Sequence, residues 1–151
     1  MLSISFIIPC YNGERFIFSN IKKFIEEIKK FKINYEIIII NDGSTDNTSI
    51  KLDKLQKVYK KIKFIHFKKN YGKSFSIRKG LDLSKFNHVV MLDADLPYFS
   101  YIHQIVFELK EGTDLVIVDR NHPLSILTNK PLSMYQFFRK NIGKLISKIK
   151  N

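Results

Sequence analysis

Asp93 and Asp95 stand two residues apart, directly after the apolar run Val89-Val90-Met91-Leu92. At the end of an extended strand, that spacing lets both carboxylates reach one crevice. Hard divalent cations need few protein carboxylates, because water and phosphate oxygens complete their shell. An Asp-x-Asp pair is also common as a solvated loop or a helix cap, so its weight comes from following a buried strand. A second polar cluster, Asn41-Asp42-Gly43-Ser44-Thr45-Asp46, ends another apolar run. Two readings of it are open. Asp42, Ser44 or Thr45 caps a helix opening there while Gly43 makes the turn, or Asp42 accepts hydrogen bonds from a base or ribose. A third cluster, Pro9-Cys10-Tyr11-Asn12-Gly13, closes the first apolar run.

The elements that position these clusters are legible in the hydrophobic pattern. Short β-branched runs at 3–8, 35–40, 62–67, 88–92 and 114–118 predict strands. Ile17, Ile21, Phe24, Ile25 and Ile28 share a helical face, as do Leu52, Leu55 and Tyr59, and Ile102, Ile105, Val106 and Leu109. Residues 73–83 form a further, less periodic helix. Parallel strands need long crossovers, which helices provide, so the pattern predicts a Rossmann-like α/β fold with a mostly parallel sheet flanked by helices. Ligands in such folds sit beyond the carboxyl ends of the strands, where all three clusters fall, and they are expected to converge on one crevice.

The chain has 151 residues, 44% of them hydrophobic, enough for one domain with its own core. Lys and Arg number 26 against 14 Asp and Glu, a formal charge of +12 that favours phosphates, anionic lipids or nucleic acid as partners. With Cys10 as the one cysteine, no internal disulfide can form, and a reduced, cytoplasmic setting is expected. The apolar opening lacks a basic n-region and is too short for a signal peptide, and no run is long enough to span a bilayer, so membrane contact is expected to be peripheral. Composition changes near residue 120. From Arg120 onward there are seven Lys or Arg and no Asp or Glu, with Phe138, Ile142, Leu145 and Ile149 on a helical stripe. This basic amphipathic segment, 121–151, either docks its apolar face on the core, 1–120, or meets a membrane surface or lipid phosphate.

Four motifs in order carry a resemblance: Ile7-Ile8-Pro9-Cys10-Tyr11-Asn12, Asn41-Asp42-Gly43-Ser44-Thr45-Asp46, Asn70-Tyr71-Gly72-Lys73 and Met91-Leu92-Asp93-Ala94-Asp95-Leu96. Together they resemble the family 2 glycosyltransferases, which have the GT-A fold. Asp-Ala-Asp-Leu is most similar to the dolichyl-phosphate mannosyltransferase and polyprenyl-phosphate glycosyltransferase branch. The resemblance implies that 1–120 is a nucleotide-sugar-binding core in which Pro9, Tyr11 and Asn12 line the nucleotide pocket and Asp42 reads the base. It places Asp93 near ribose and metal and has Asp95 ligate Mg²⁺ or Mn²⁺ on the diphosphate. Lys73, otherwise a solvated lysine at a helix start, would border the nucleotide. Arg120 would meet donor or acceptor phosphate, and Arg139 matches a second family arginine. Two positions depart from the pattern: Ser74 replaces the usual glycine, and Gly143 falls where the lipid-phosphate branch has serine.

The expected activity is metal-dependent, inverting transfer from a UDP- or GDP-sugar, with Asp93, Asp95 and Arg120 catalytic. A polyprenyl phosphate acceptor is already ionised and needs cations rather than a general base, which suits a basic segment devoid of carboxylates. Asp119 is the candidate base for an alcohol acceptor. The rival expectation is a non-catalytic nucleotide-sugar-binding protein, or a subunit whose partner supplies the acceptor site, because the family's later acceptor-side segment is missing. Nucleic-acid binding through charge alone lacks a recognisable module and ranks below both.

Overall fold

The computed structural model describes residues 1–97, 99–116 and 118. Four strands, β1 (Ser3–Cys10), β2 (Asn34–Asn41), β3 (Ile62–His66) and β4 (His88–Met91), alternate with α1 (Ile17–Ile28), α2 (Thr48–Val58) and α3 (Lys73–Leu83), and α4 (Ile102–Lys110) follows. The sheet order is β3-β2-β1-β4 and every pairing is parallel.

The central strands are the most apolar because both their faces are covered. On one face Ile4, Phe6, Ile8, Ile37 and Ile39 pack with the stripes of α1, α2 and α4. Phe6 meets Phe24 edge-on at 5.0 Å between ring centroids. On the other face Ile7, Ile38 and Ile40 form a smaller core with Leu83 of α3 at its edge. The run Ile37-Ile38-Ile39-Ile40 serves both cores by simple alternation. Gly80 lets α3 come close: a Cβ there would crowd side-chain atoms of Ile7 and, at 3.1 Å, Ile40.

Two boundaries differ from expectation. β1 continues past residue 8 through Pro9 to Cys10. Leu92 N–H donates to the Ile7 carbonyl, so this side of β1 faces β4. Pro9, two residues on, faces the same way where the β4 pairing has ended, and its missing N–H leaves no gap in a ladder. The strand expected over 114–118 is not formed by the described residues there. Val116 and Val118 pack against the core by their side chains, which satisfies the apolar pattern without backbone pairing, and Leu115 is 73% exposed.

A buried polar network ties the sheet's interior to its edges. Glu36, 6% exposed, accepts hydrogen bonds from Ser5 Oγ at 2.8 Å, Lys63 Nζ at 2.7 Å and the Lys85 N–H at 2.6 Å. Burial alone would raise the Glu36 pKa, but the bonds from Lys63, Lys85 and Ser5 outweigh it and hold the carboxyl below its ordinary 4.5. A depressed folded value means that this contribution to stability is complete above about 4.5 and is lost as pH falls through the folded value. Urea unfolding from pH 7 to pH 3 should therefore show Glu36→Gln less stable at pH 7, by about 1–3 kcal/mol, with a shallower acid decline than the native chain. Parallel curves would remove Glu36 from the account.

Candidate functional site

The carboxyl end of β2 delivers Asp42 into a buried position, 3% exposed. Its N–H donates to the Cys10 carbonyl at 2.8 Å, carrying the β1–β2 pairing one step past the end of β2. Its side chain reaches across to the loop before α3: Oδ1 accepts the Tyr71 N–H at 2.8 Å and Oδ2 the Gly72 N–H at 2.9 Å. A buried carboxylate is tolerated only with such partners. Gly43 permits the approach, since it lies at φ +68° and a Cβ there would come within 2.5 Å of the Asn70 nitrogen.

The loops after β1 and β2 clasp each other. Asn12 takes a left-handed conformation, φ 51°, which asparagine tolerates. Its N–H donates to Ser44 Oγ at 2.9 Å, and its Oδ1 accepts the Thr45 N–H at 2.9 Å. Gly13 N–H donates to Thr48 Oγ1 at 2.8 Å, and Glu14 N–H to Asp46 Oδ2 at 3.1 Å. Glu14 in turn accepts from the Asn47 backbone and side chain. Burial opposes ionisation of Asp46, yet the bonds from Thr48 and Glu14 prevail and its pKa lies below the ordinary value.

The loop after β4 brings the acidic pair. Ala94 is buried at 7% exposure, and its carbonyl accepts from Asn20 Nδ2 of α1 at 3.3 Å. Asp93 O accepts the Leu96 N–H at 2.9 Å. Leu96 is left-handed at φ 50°, a conformation costing about 1–2 kcal/mol for an L-residue, and its side chain packs against the main core. Asp93, with a side chain 26% exposed, forms an ion pair with Lys73 at the start of α3, and Asp95 is exposed. The segment Tyr71-Gly72-Lys73 thus joins the ends of β2 and β4: its amides hold Asp42 and its ammonium meets Asp93.

This arrangement can be set beside known proteins. The family model described as glycosyl transferase family 2 matches residues 5–149. The chain belongs to that family. It is 34% identical over 145 residues to a putative glycosyltransferase, CsbB, of Bacillus subtilis strain 168, covering 92% of this chain and 43% of that protein. It is 28% identical over 146 residues to an undecaprenyl-phosphate 4-deoxy-4-formamido-L-arabinose transferase of Proteus mirabilis strain HI4320, covering 95% of this chain and 42% of that one. The chain thus spans less than half the length of these relatives. A mannosyltransferase from Pyrobaculum calidifontis, solved with GDP-Man and Mn²⁺, superposes with a TM-score of 0.54 at 21% identity, over 61% of this chain and 27% of that one. That likeness concerns the fold, which is GT-A.

Within this family 2 glycosyltransferase chain, the structure pairs Lys73 with Asp93 and ties Asp42 to the two residues before Lys73, while Asn12 is tied to Ser44 and Thr45, just beyond Asp42. Pro9 lies within β1 and is partly buried, and Tyr11 is 50% exposed. Arg120 and Arg139, with Asp119 and the segment 121–151, lie outside the described residues. The helix-cap reading of the second cluster is corrected. α2 opens only at Thr48, and none of Asp42, Ser44 and Thr45 caps it. Asp46, two residues before the helix, accepts from the Thr48 N–H and hydroxyl. Ser44 and Thr45 bind Asn12 instead. Sequence reasoning gave no role to Asn20, Asp46 or Glu14; for Asp46 and Glu14 the polar residues following two strand ends were the available signal, and Asn20, inside α1, had none. Cys10 is buried, its thiol pushed up to about 12 first by burial and then by the nearby Asp46 charge, so it stays neutral.

The donor set fits a hard divalent cation. Two carboxylates stand on one anchored loop, and among the described residues no three His, Cys, Asp or Glu side chains group to enclose a metal. Mg²⁺-type ions bind in this way, with one or two carboxylates and substrate phosphate.

The Asp42 tie has a direct test. Asp42→Asn turns one acceptor into a donor facing a backbone N–H, so amide exchange at Tyr71 and Gly72 should accelerate and stability should fall by about 1–3 kcal/mol. Unchanged protection of both amides would mean that the loop is held by something else.

Proposed function

We propose that this chain provides the donor-binding part of a glycosyltransferase that moves a sugar, with inversion, from a UDP- or GDP-sugar to a polyprenyl phosphate at the cytoplasmic membrane face. The observation that carries the reading is the bridge from Asp42 through Gly72 and Lys73 to Asp93, which supports a base-reading acceptor at one end and a diphosphate station at the other. The family match and the lipid-phosphate relative support the reaction class. The metal-bound, GDP-Man-bound structural neighbour supports a nucleotide donor and a divalent ion.

In this reading each Asp42 oxygen, already bonded to one loop amide, keeps a second lone pair for the base or ribose. Pro9, Tyr11 and Asn12 wall the nucleotide on the β1 side, and the clasp between the two loops fixes that wall before the donor arrives. Asp93 and Asp95 hold Mg²⁺ or Mn²⁺, which neutralises the diphosphate. Lys73 exchanges part of its contact with Asp93 for a phosphate oxygen and stabilises the charge that grows on the departing nucleoside diphosphate. The acceptor phosphate, an oxygen anion without need of a base, attacks the anomeric carbon from the side opposite the leaving group. Arg120 and Arg139 are proposed to steer that phosphate, and the basic segment 121–151 to rest on the anionic membrane.

Calorimetric titration of UDP, GDP and their sugars, with and without Mn²⁺, tests the donor site. Binding should need the metal, and Asp95→Ala should weaken it about tenfold or more, since losing even an outer-shell partner of a metal costs about 10–100-fold. Affinity indifferent to both EDTA and this substitution would sink the metal assignment. Donor binding without sugar transfer to a polyprenyl phosphate would assign catalysis to a partner.

A further inference from the structure

The stretch from the residues before β3 through most of α3 is strongly basic. From residue 60 to residue 81 there are eight Lys or Arg and no Asp or Glu, and Lys68, Lys69, Arg78 and Lys79 are exposed. The acids at its border are Glu36, which Lys63 engages, Asp53, 3.6 Å from His66, Asp82, and Asp93, which Lys73 engages. The same stretch carries an aromatic triad. Phe67 packs on the smaller core and holds Tyr71 and Phe75, each at 5.5 Å between centroids. Tyr71 and Phe75 stack on one another at 4.9 Å and 24°. Despite this mutual packing they stay 49% and 45% exposed, and Lys69 Nζ lies 5.2 Å from the Tyr71 ring centroid.

Large exposed rings ringed by lysines mark an interaction surface. Rings of this kind sit at the headgroup level of a bilayer while lysines reach anionic phosphates above them. A single-stranded nucleic acid needs free ring faces for its bases, whereas Tyr71 and Phe75 spend a face of each ring on the other. We infer that Tyr71 and Phe75, with Lys68, Lys69 and Lys79 around them, dock the chain on an anionic lipid bilayer, an inference that extends the lipid-acceptor reading above and takes its purpose from it. Tyr71 is the residue whose N–H binds Asp42, so docking there brings the donor crevice beside the leaflet carrying a lipid phosphate.

The chain contains no tryptophan, so Phe75→Trp in the full chain places one reporter on the surface. With vesicles of equal parts phosphatidylglycerol and phosphatidylcholine, its emission should shift to the blue and be quenched by brominated lipid. Phosphatidylcholine alone should do neither. Ile50→Trp, at a position 53% exposed on α2, should stay unshifted throughout. Replacing Lys68, Lys69 and Lys79 by Gln should lower partitioning about fivefold per lysine, and this variant decides the matter if Phe75→Trp fails to fold by circular dichroism. An unshifted Phe75→Trp on vesicles that pellet the protein, absence of pelleting, unchanged partitioning of the lysine variant, or a shift with oligonucleotide but not with vesicles would each overturn the inference. Donor titration on the same samples separates the two readings. Lost shift with intact donor binding removes only the docking surface, and intact shift without donor binding removes only the transfer reading.

Discussion

A carboxylate buried at the end of a central strand must find hydrogen-bond donors nearby, because it has left water and a buried charge without partners is costly. Asp42 finds them in two consecutive backbone amides of the loop before α3. That choice brings the loop in from the sheet edge, sets where α3 begins, and places Lys73 beside Asp93 on the loop after β4. These loops lie together in this form because one charge had to be satisfied by backbone.

Close approach makes the tie geometrically affordable. Gly43 lets the end of β2 touch the 69–70 backbone, and Gly80 seats α3 against Ile7 and Ile40. On the other side of β2, Asn12, Ser44, Thr45 and Asp46 join the first two loops without help from the sheet. Each loop is therefore positioned by another loop as well as by its own strand. Such prior ordering reduces the entropy that ligand binding must cost. Leu96 belongs to the same scheme, since its unfavourable backbone is held by packing and its N–H closes the turn on the Asp93 carbonyl.

The interior network about Glu36 does for the sheet what Asp42 does for its rim. One buried acid gathers Ser5, Lys63 and the Lys85 amide, and so connects β1, β2, β3 and the loop before β4. Both acids specify which segments lie together, a role that apolar packing, being non-directional, performs poorly.

Periodicity alone determined most of the elements. Alternation and unbroken isoleucine runs marked β1 and β2, and the i, i+3, i+4 stripes of α1 and α4 matched the residues that are buried, because burial on one face leaves a local signature. The order of four polar motifs at strand ends and turns likewise identified the family. Pairing partners left no such signature. The apolar run at 114–118 looked like a strand, but its described residues meet the core through side chains only, and strand formation depends on a neighbouring backbone that no local pattern encodes. The same limit applied to Asp42, Ser44 and Thr45. Their types suit a helix cap as well as a tie to a distant loop, and only the fold, by bringing residues 12 and 71–72 within hydrogen-bond reach, decided between the two.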